Sequence, residues 1–229
     1  MRLDRFICKH TEYGHQQAKR LIAAGQVKVN DLVITDLRAE IDRFMCVELD
    51  GRRLQHQQAL YLMLNKPAGY LSATSDPLHP TVLELLPAEL RTDLHLAGRL
   101  DRATTGLLLL TNDGLWSRRI TAPEQKIPKT YRVTTAEPIN PEAEARFAAG
   151  IWLAREGVLT SPARLERISP CEAFLTIYEG RHHQVKRMFA AIDNAVTALH
   201  RESMGSIRLD PDLAPGQYRC LTAAELRLD

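Results

Sequence analysis

The chain has no long hydrophobic run. Across its 229 residues the longest aliphatic stretch is the leucine run at 107–110, far short of the roughly 20 apolar residues that a membrane-spanning helix needs. Residues 1–10 (MRLDRFICKH) alternate charged and apolar side chains, so neither export nor membrane insertion is expected. Cysteine is equally sparse. Cys8, Cys46, Cys171 and Cys220 stand far apart with no paired spacing, which argues against a zinc knuckle or a disulfide framework and fits a reducing cytoplasmic setting. There is no Gly-Lys-Ser/Thr phosphate loop, which removes the P-loop nucleotide hydrolases. Internal repeats, low-complexity tracts and coiled-coil heptads are also missing. A formal charge of +2 is too weakly basic to imply nucleic-acid binding from net charge alone.

What is present is local. Basic residues cluster at Lys19-Arg20, Arg52-Arg53, Arg99 with Arg102, Arg118-Arg119, and Arg181 with Lys186-Arg187. Each cluster by itself is an ordinary solvated face. Several of them beside glycine turns point to phosphate contacts, because every neutralised phosphate adds salt-sensitive, sequence-independent affinity. The implied partner is a polyanion.

A hydrophobic content of 45% supports a real core, and the length allows one large domain or two small ones. Residues 1–57 read as a unit of their own. Leu3, Phe6 and Ile7 share a helical face, and Ala18, Leu21 and Ile22 form a second one that stops at Gly25. Short strands at 27–29 and 32–34 meet at Asn30-Asp31, and another at 46–49 closes on Asp50-Gly51. The polar segment 51–60 (GRRLQHQQAL) reads as a linker. From residue 58 the pattern changes to longer strands, at 61–64, 107–111, 130–135 and 173–178, with helices at 115–120, 142–149, 183–191 and 223–227. Strands and helices do not alternate strictly, so the expectation is an α+β fold: a small N-terminal domain, then a larger domain at 58–229 built on a mostly antiparallel mixed sheet with flanking helices.

The segment 97–114 (AGRLDRATTGLLLLTNDG) sets one carboxylate, Asp101, between Arg99 and Arg102, with Gly98 and Gly106 on either side. Glycine permits both the sharp turn and the close approach of a bulky ligand. On these residues alone, Asp101 is better explained as a turn cap through an Asx hydrogen bond. Three further segments bear on it: LNKPAGY at 64–70, KTYRV at 129–133 and EGRHHQVKRMF at 179–189. The strand period of two puts Lys129, Tyr131 and Val133 on one face. Neighbouring His182 and His183 are expected to point in different directions, so no metal site is anticipated.

The first unit, with RLDRFI, AKRLIAAGQVKVND and VELDG, resembles the S4 RNA-binding domain. It departs from that family at Gly14-His15, where a Ser-Arg pair usually opens the second helix. GRLDRATTG, KTYRV and GRHHQVKRMF, in this order behind an S4-like domain, resemble the RsuA-type pseudouridine synthases of ribosomal RNA across nearly the whole chain. The resemblance implies that Asp101 is the catalytic aspartate, that Tyr131 stacks on the target base, and that Lys186 is the cation paired with Asp101, with its neighbour Arg187 the alternative for that role. Arg99, Arg102, Lys19, Arg20, Lys66, Arg181 and Arg187 are then the candidates for holding RNA.

Isomerising uridine breaks the bond from ribose C1′ to the base nitrogen and rejoins the base through carbon. Nothing is oxidised or reduced, so no cofactor is expected. An ionised carboxylate at the anomeric carbon can act as nucleophile or stabilise an oxocarbenium-like state, and a cation at close range keeps it ionised once RNA has displaced water. Flipping the base out of its stack costs a few kcal/mol, of which stacking on an aromatic ring returns about 1–3. Within the family, HQVKRMF and HRESMGSIRLD look most like the small-subunit enzyme, which modifies uridine 516 of 16S rRNA. A relative acting on 23S rRNA and a non-catalytic S4-domain assembly factor are the alternatives. The expected partner is ribosomal RNA within a small-subunit assembly intermediate, the expected location the cytoplasm, and the expected state a monomer.

Overall fold

The computed structural model describes residues 1–227. Its contacts divide the chain into two compact units, Met1–Ala59 and Leu60–Asp229. In the first unit, helices α1 (Leu3–His10) and α2 (His15–Ala23) are followed by strands β1 (Val27–Val29), β2 (Leu32–Val33), β3 (Val47–Leu49) and β4 (Arg52–Gln55), in the order β2-β1-β3-β4. Leu3, Phe6, Ile7, Ala18 and Ile22 pack against Val27, Val47 and Leu49 as a closed apolar core. The segment expected to be a linker therefore contributes an edge strand: Leu49 pairs with Arg52 across the Asp50-Gly51 turn, where both residues have positive φ. Its polar composition suits a strand exposed at a sheet edge. Gly14 occupies the N-cap of α2 with no side chain to cap it, as the missing Ser-Arg pair implies.

In the second unit, β5 (Tyr61–Lys66), α3 (Ala88–Arg91), β6 (His95–Ala97), β7 (Thr105–Thr111), α4 (Gly114–Thr121), β8 (Lys129–Thr135) and α5 (Ala143–Ala149) come first. They are followed by β9 (Trp152–Leu153), β10 (Val158–Leu159), β11 (Arg164–Ser169), β12 (Glu172–Ile177), α6 (Gln184–Ala190), β13 (Val196–Met204), β14 (Ile207–Arg208) and β15 (Tyr218–Cys220). One large sheet runs β11-β12-β8-β13-β7-β5-β15, with β14 on β13 and β6 on β7. Its pairings are antiparallel except β13 with β7, so the fold is the expected α+β type with a mixed, mostly antiparallel sheet. β9 and β10 form a separate hairpin.

The four leucines of β7 are explained by burial on both faces of this sheet. Leu108 and Leu110 join Leu62, Leu64, Val133 and Leu175 on one face, while Leu107 and Leu109 join Met63, Trp116 and Ile120 on the other. Alternation sends successive side chains to opposite cores, so a strand covered on both sides reads as an unbroken apolar run. Residues 223–226 form a turn rather than the expected helix. Among the described residues no helix is long and apolar enough to cross a membrane.

Candidate active site

Asp101 lies in the 98–104 loop between β6 and β7, and residues of the LNKPAGY segment together with Ser72 hold that loop. Ser72 Oγ donates to the Leu100 carbonyl at 2.8 Å and accepts from its N–H at 3.1 Å. The N–H of Gly69 donates to the Arg102 carbonyl at 2.9 Å, and Arg102 Nε returns a bond to the Gly69 carbonyl at 3.0 Å. Lys66 is wholly buried, and its ammonium donates to the carbonyls of Pro67, Arg102 and Thr104 at 3.0, 3.2 and 2.9 Å. Burial pushes this ammonium down to about 8, opposed by the Asp101 charge nearby.

Lys66 therefore has no donor left for a phosphate, and the expectation that it holds RNA is corrected. A lysine that ends a buried strand cannot reach solvent, whatever the turn after it suggests. Its work is to gather three carbonyls whose alignment sets the loop. Replacing it with methionine (Lys66→Met) is expected to leave those acceptors unsatisfied, at about 1–3 kcal/mol each, and to lower the melting temperature by about 2–4 °C per kcal/mol. RNA affinity should be preserved. Differential scanning fluorimetry beside filter binding checks this, since a phosphate-contact role would give the opposite pattern.

The loop opens into a cavity of about 200 Å³ lined by Asp101, Tyr131, Lys186, Arg99 and Arg181, with His183, Lys129 and Arg201 also on its wall. Among the described residues no backbone N–H donates to the Asp101 carboxylate, so the turn-cap explanation does not hold. Instead Oδ1 faces His183 Nε2 at 3.4 Å and Oδ2 faces Lys186 Nζ at 3.9 Å. These two side chains come from the start of α6, one turn apart, which puts both on one side of the helix. His183, at the N-cap, adopts φ +50°. The turn before it is fixed by buried Gln184, whose Nε2 donates to Glu179 at 2.8 Å and whose Oε1 accepts from the Arg181 N–H at 2.9 Å.

Arg187 turns the other way. Its Nη1 meets Glu156 Oε1 at 2.6 Å, so it is committed to a carboxylate rather than to Asp101, and its expected availability to RNA is reduced accordingly. Arg181 lies between Glu179 and Glu156, at 3.3 and 4.0 Å, yet remains exposed on the cavity wall. Arg99 is exposed at the same cavity, and Arg102 is exposed beside it in sequence but does not line it. In the first unit Lys19 and Arg20 are both exposed on α2. Tyr131 is buried, opposite Arg201 on β13.

The rings of His182 and His183 stack with centroids 3.8 Å apart, contrary to the expectation that they diverge. The left-handed conformation at His183 removes the alternation an extended strand would give. Among the described residues no group of three or more His, Cys, Asp or Glu side chains is arranged to hold a metal.

His183 and Arg201 were not anticipated. The motif GRHHQVK carried the signal for His183, since the residue one turn before Lys186 must share its side of α6. Arg201 is harder to see, because β13 follows no clean alternation: its pairing with β8 shifts register between Val196 and Ala198 and again between Arg201 and Ser203.

The family model for RNA pseudouridylate synthase matches residues 60–191. This chain belongs to the RNA pseudouridylate synthase family. A pseudouridylate synthase of known crystal structure is 41% identical, with a TM-score of 0.72, over 99% of this chain and 98% of that one. The ribosomal small subunit pseudouridine synthase A of Pseudomonas aeruginosa is 52% identical over 99% of both chains, and that of Escherichia coli K12 is 48% identical over 99% of this chain and 98% of its own. The RsuA-type resemblance drawn from the motifs is thereby borne out. As a pseudouridylate synthase the chain is an isomerase, and Asp101, Tyr131, His183 and Lys186 lie within the matched segment, whereas Arg201 of the cavity wall lies beyond it.

Proposed function

We propose that this pseudouridine synthase isomerises one uridine of small-subunit ribosomal RNA, uridine 516 of 16S rRNA, with Asp101 as the catalytic carboxylate. The observation that carries the reading is the setting of Asp101: a carboxylate held by a rigid loop, free of backbone caps, facing His183 and Lys186 in a cavity walled by Tyr131. The Lys186 ammonium at 3.9 Å favours the charged carboxylate when RNA displaces water, and the His183 imidazole at 3.4 Å offers it a ring nitrogen. The carboxylate then attacks C1′ or stabilises the cationic sugar as the bond to N1 breaks. Lys186 and His183 hold that charge, and Tyr131 offers a ring to the flipped base.

Exposed Arg99, Arg102 and Arg181 are suited to the phosphates flanking the flipped nucleotide. The first unit acts as an S4-like RNA grip through Lys19 and Arg20, with residues 60 onward performing the chemistry. The relatives named as small-subunit enzymes match almost end to end, which favours 16S over 23S rRNA, carried in an assembly intermediate and met by a monomer in the cytoplasm. Carbodiimide treatment and primer extension on rRNA from a deletion strain test the site. The expected result is loss of a single stop, at position 516, restored by the wild-type gene. An unchanged 16S pattern with a missing 23S stop would overturn the assignment.

A further inference from the structure

Two cations in the cavity have no role in holding Asp101. Arg201 is almost wholly buried. Its Nε donates to the Leu107 carbonyl at 2.7 Å, while Nη2 is buried without a hydrogen-bond partner. Lys129 donates to the Ile127 carbonyl at 3.0 Å. Arg201 stands directly opposite Tyr131 across the β8–β13 pair, and Lys129 lies two residues along β8, so the three share one face of the sheet. The lysine and the guanidinium are close enough that Arg201 adds to the downward push burial exerts on Lys129.

Neither cation forms an ion pair among the described residues. The cavity's carboxylates are engaged elsewhere: Asp101 faces His183 and Lys186, and Glu179 holds Arg181, Gln184 and the Ser161 N–H. Two desolvated like charges without a counter-ion are unfavourable, and bridging β7 to β13 needs only one neutral donor. The arrangement calls for an anion from the substrate.

Building on the functional reading above, we propose that Arg201 and Lys129 form the floor that receives the uracil ring and neutralises the charge it carries while detached from the sugar. When the C1′–N1 bond breaks, its electron pair leaves with the base, giving an anion delocalised over N1 and the two carbonyl oxygens. The charge disappears when C5 bonds to C1′; the C5 proton then passes to water while N1 takes one up, so the ring ends neutral. This holds whether the sugar is captured by Asp101 or passes through a glycal. A phosphodiester is tethered to both neighbouring nucleotides and stays at the rim with exposed Arg99 and Arg181, whereas the base of a flipped nucleotide reaches deepest. Donors fixed in place where charge develops are the arrangement that lowers a barrier most.

The test uses full-length protein carrying Arg201→Met or Lys129→Met, and a protein-bound 16S rRNA fragment made with uridine or with 5-fluorouridine. Single-turnover glycosidic cleavage at saturating RNA is followed by nuclease digestion and mass spectrometry. Fluorine withdraws electrons, so the departing fluorinated base is a weaker base and needs less compensation. Each variant is expected to lose about 10²–10³-fold on uridine and at least ~10-fold less than that on 5-fluorouridine, with RNA affinity within about twofold of wild type. Equal losses on the two substrates would reduce both residues to structural parts. A loss of affinity in place of rate would make them phosphate contacts, and an unchanged rate would also overturn the proposal. If Arg201→Met fails to fold by circular dichroism, the partly exposed Lys129→Met decides alone. Wild-type turnover on the uridine fragment tests the functional reading separately: its absence removes that reading, whereas active wild type with unaffected variants removes only the floor.

Discussion

Changing Asp101 to asparagine is expected to reduce turnover by at least about 10⁴-fold while leaving RNA binding intact. The substitution keeps the shape of the side chain and removes its charge and nucleophilicity, and loss of a nucleophile from an assembled site costs factors of this order or more. The loop itself should survive, because its anchors are the buried Lys66 ammonium, Ser72 and Gly69 acting on backbone carbonyls, none of which touches the Asp101 side chain. Removing the one negative charge that faces His183 and Lys186 leaves the cavity more cationic, so affinity for RNA should hold or rise slightly. Tritium release from C5-labelled uridine measures the first effect and gel mobility shift the second. Turnover within tenfold of wild type would remove Asp101 from the chemistry.

The second large effect is expected at Gly106. Its φ is +98°, and a Cβ there would stand 2.7 Å from the Arg201 nitrogen and nearer still to the Arg201 carbonyl oxygen. Both are backbone atoms of the adjacent strand and cannot swing aside. Gly106→Ala therefore combines a conformation unfavourable by about 1–2 kcal/mol for a residue with a side chain with an overpacking penalty of about 1–3 kcal/mol. The melting temperature should fall by roughly 2–4 °C for each kcal/mol lost. Activity should fall further than stability alone predicts, because β7 and β13 meet in parallel only at Thr105–His200 and Gly106–Arg201, and any separation there moves Arg201 relative to Tyr131. Calorimetry and tritium release on the same preparation check both parts. A variant with wild-type melting and turnover would show that the two strands tolerate separation.

Much of the site is local in sequence, and so it could be read there. GRLDRATTG places a carboxylate in a glycine turn ahead of a doubly buried strand, and the QVKRMF helix start puts Lys186 and His183 on one side of a single turn. The period of two in KTYRV puts Tyr131 on one face with Lys129 and Val133, and the family resemblance brings it to the site. The expectations that failed did so where burial or backbone conformation is not carried by residue type. Lys66 looked like a cation beside a turn, but it ends β5, a buried strand held between β7 and β15, and its ammonium is carried inward. The polar run after Gly51 looked like a linker because an edge strand facing solvent carries no apolar alternation, even though the strand it pairs with was expected at 46–49.

What the sequence determined by itself is the set of motifs that carry the family resemblance and the two-unit organisation, because motif spacing and helical or strand period are set by residues within a few positions of one another. What only the tertiary structure decided is their surroundings. That Asp101 faces His183 and Lys186 rather than a backbone N–H, and that Lys66 is spent on three carbonyls, is decided by how distant segments meet, and Arg201 stands opposite Tyr131 because β13 inserts between β7 and β8. That insertion joins segments some 70 to 95 residues apart, with Arg132 meeting Glu202 and Leu107 meeting Arg201. Such contacts are fixed by the joint burial of the two sheet faces, a property of the assembled sheet that no single segment carries.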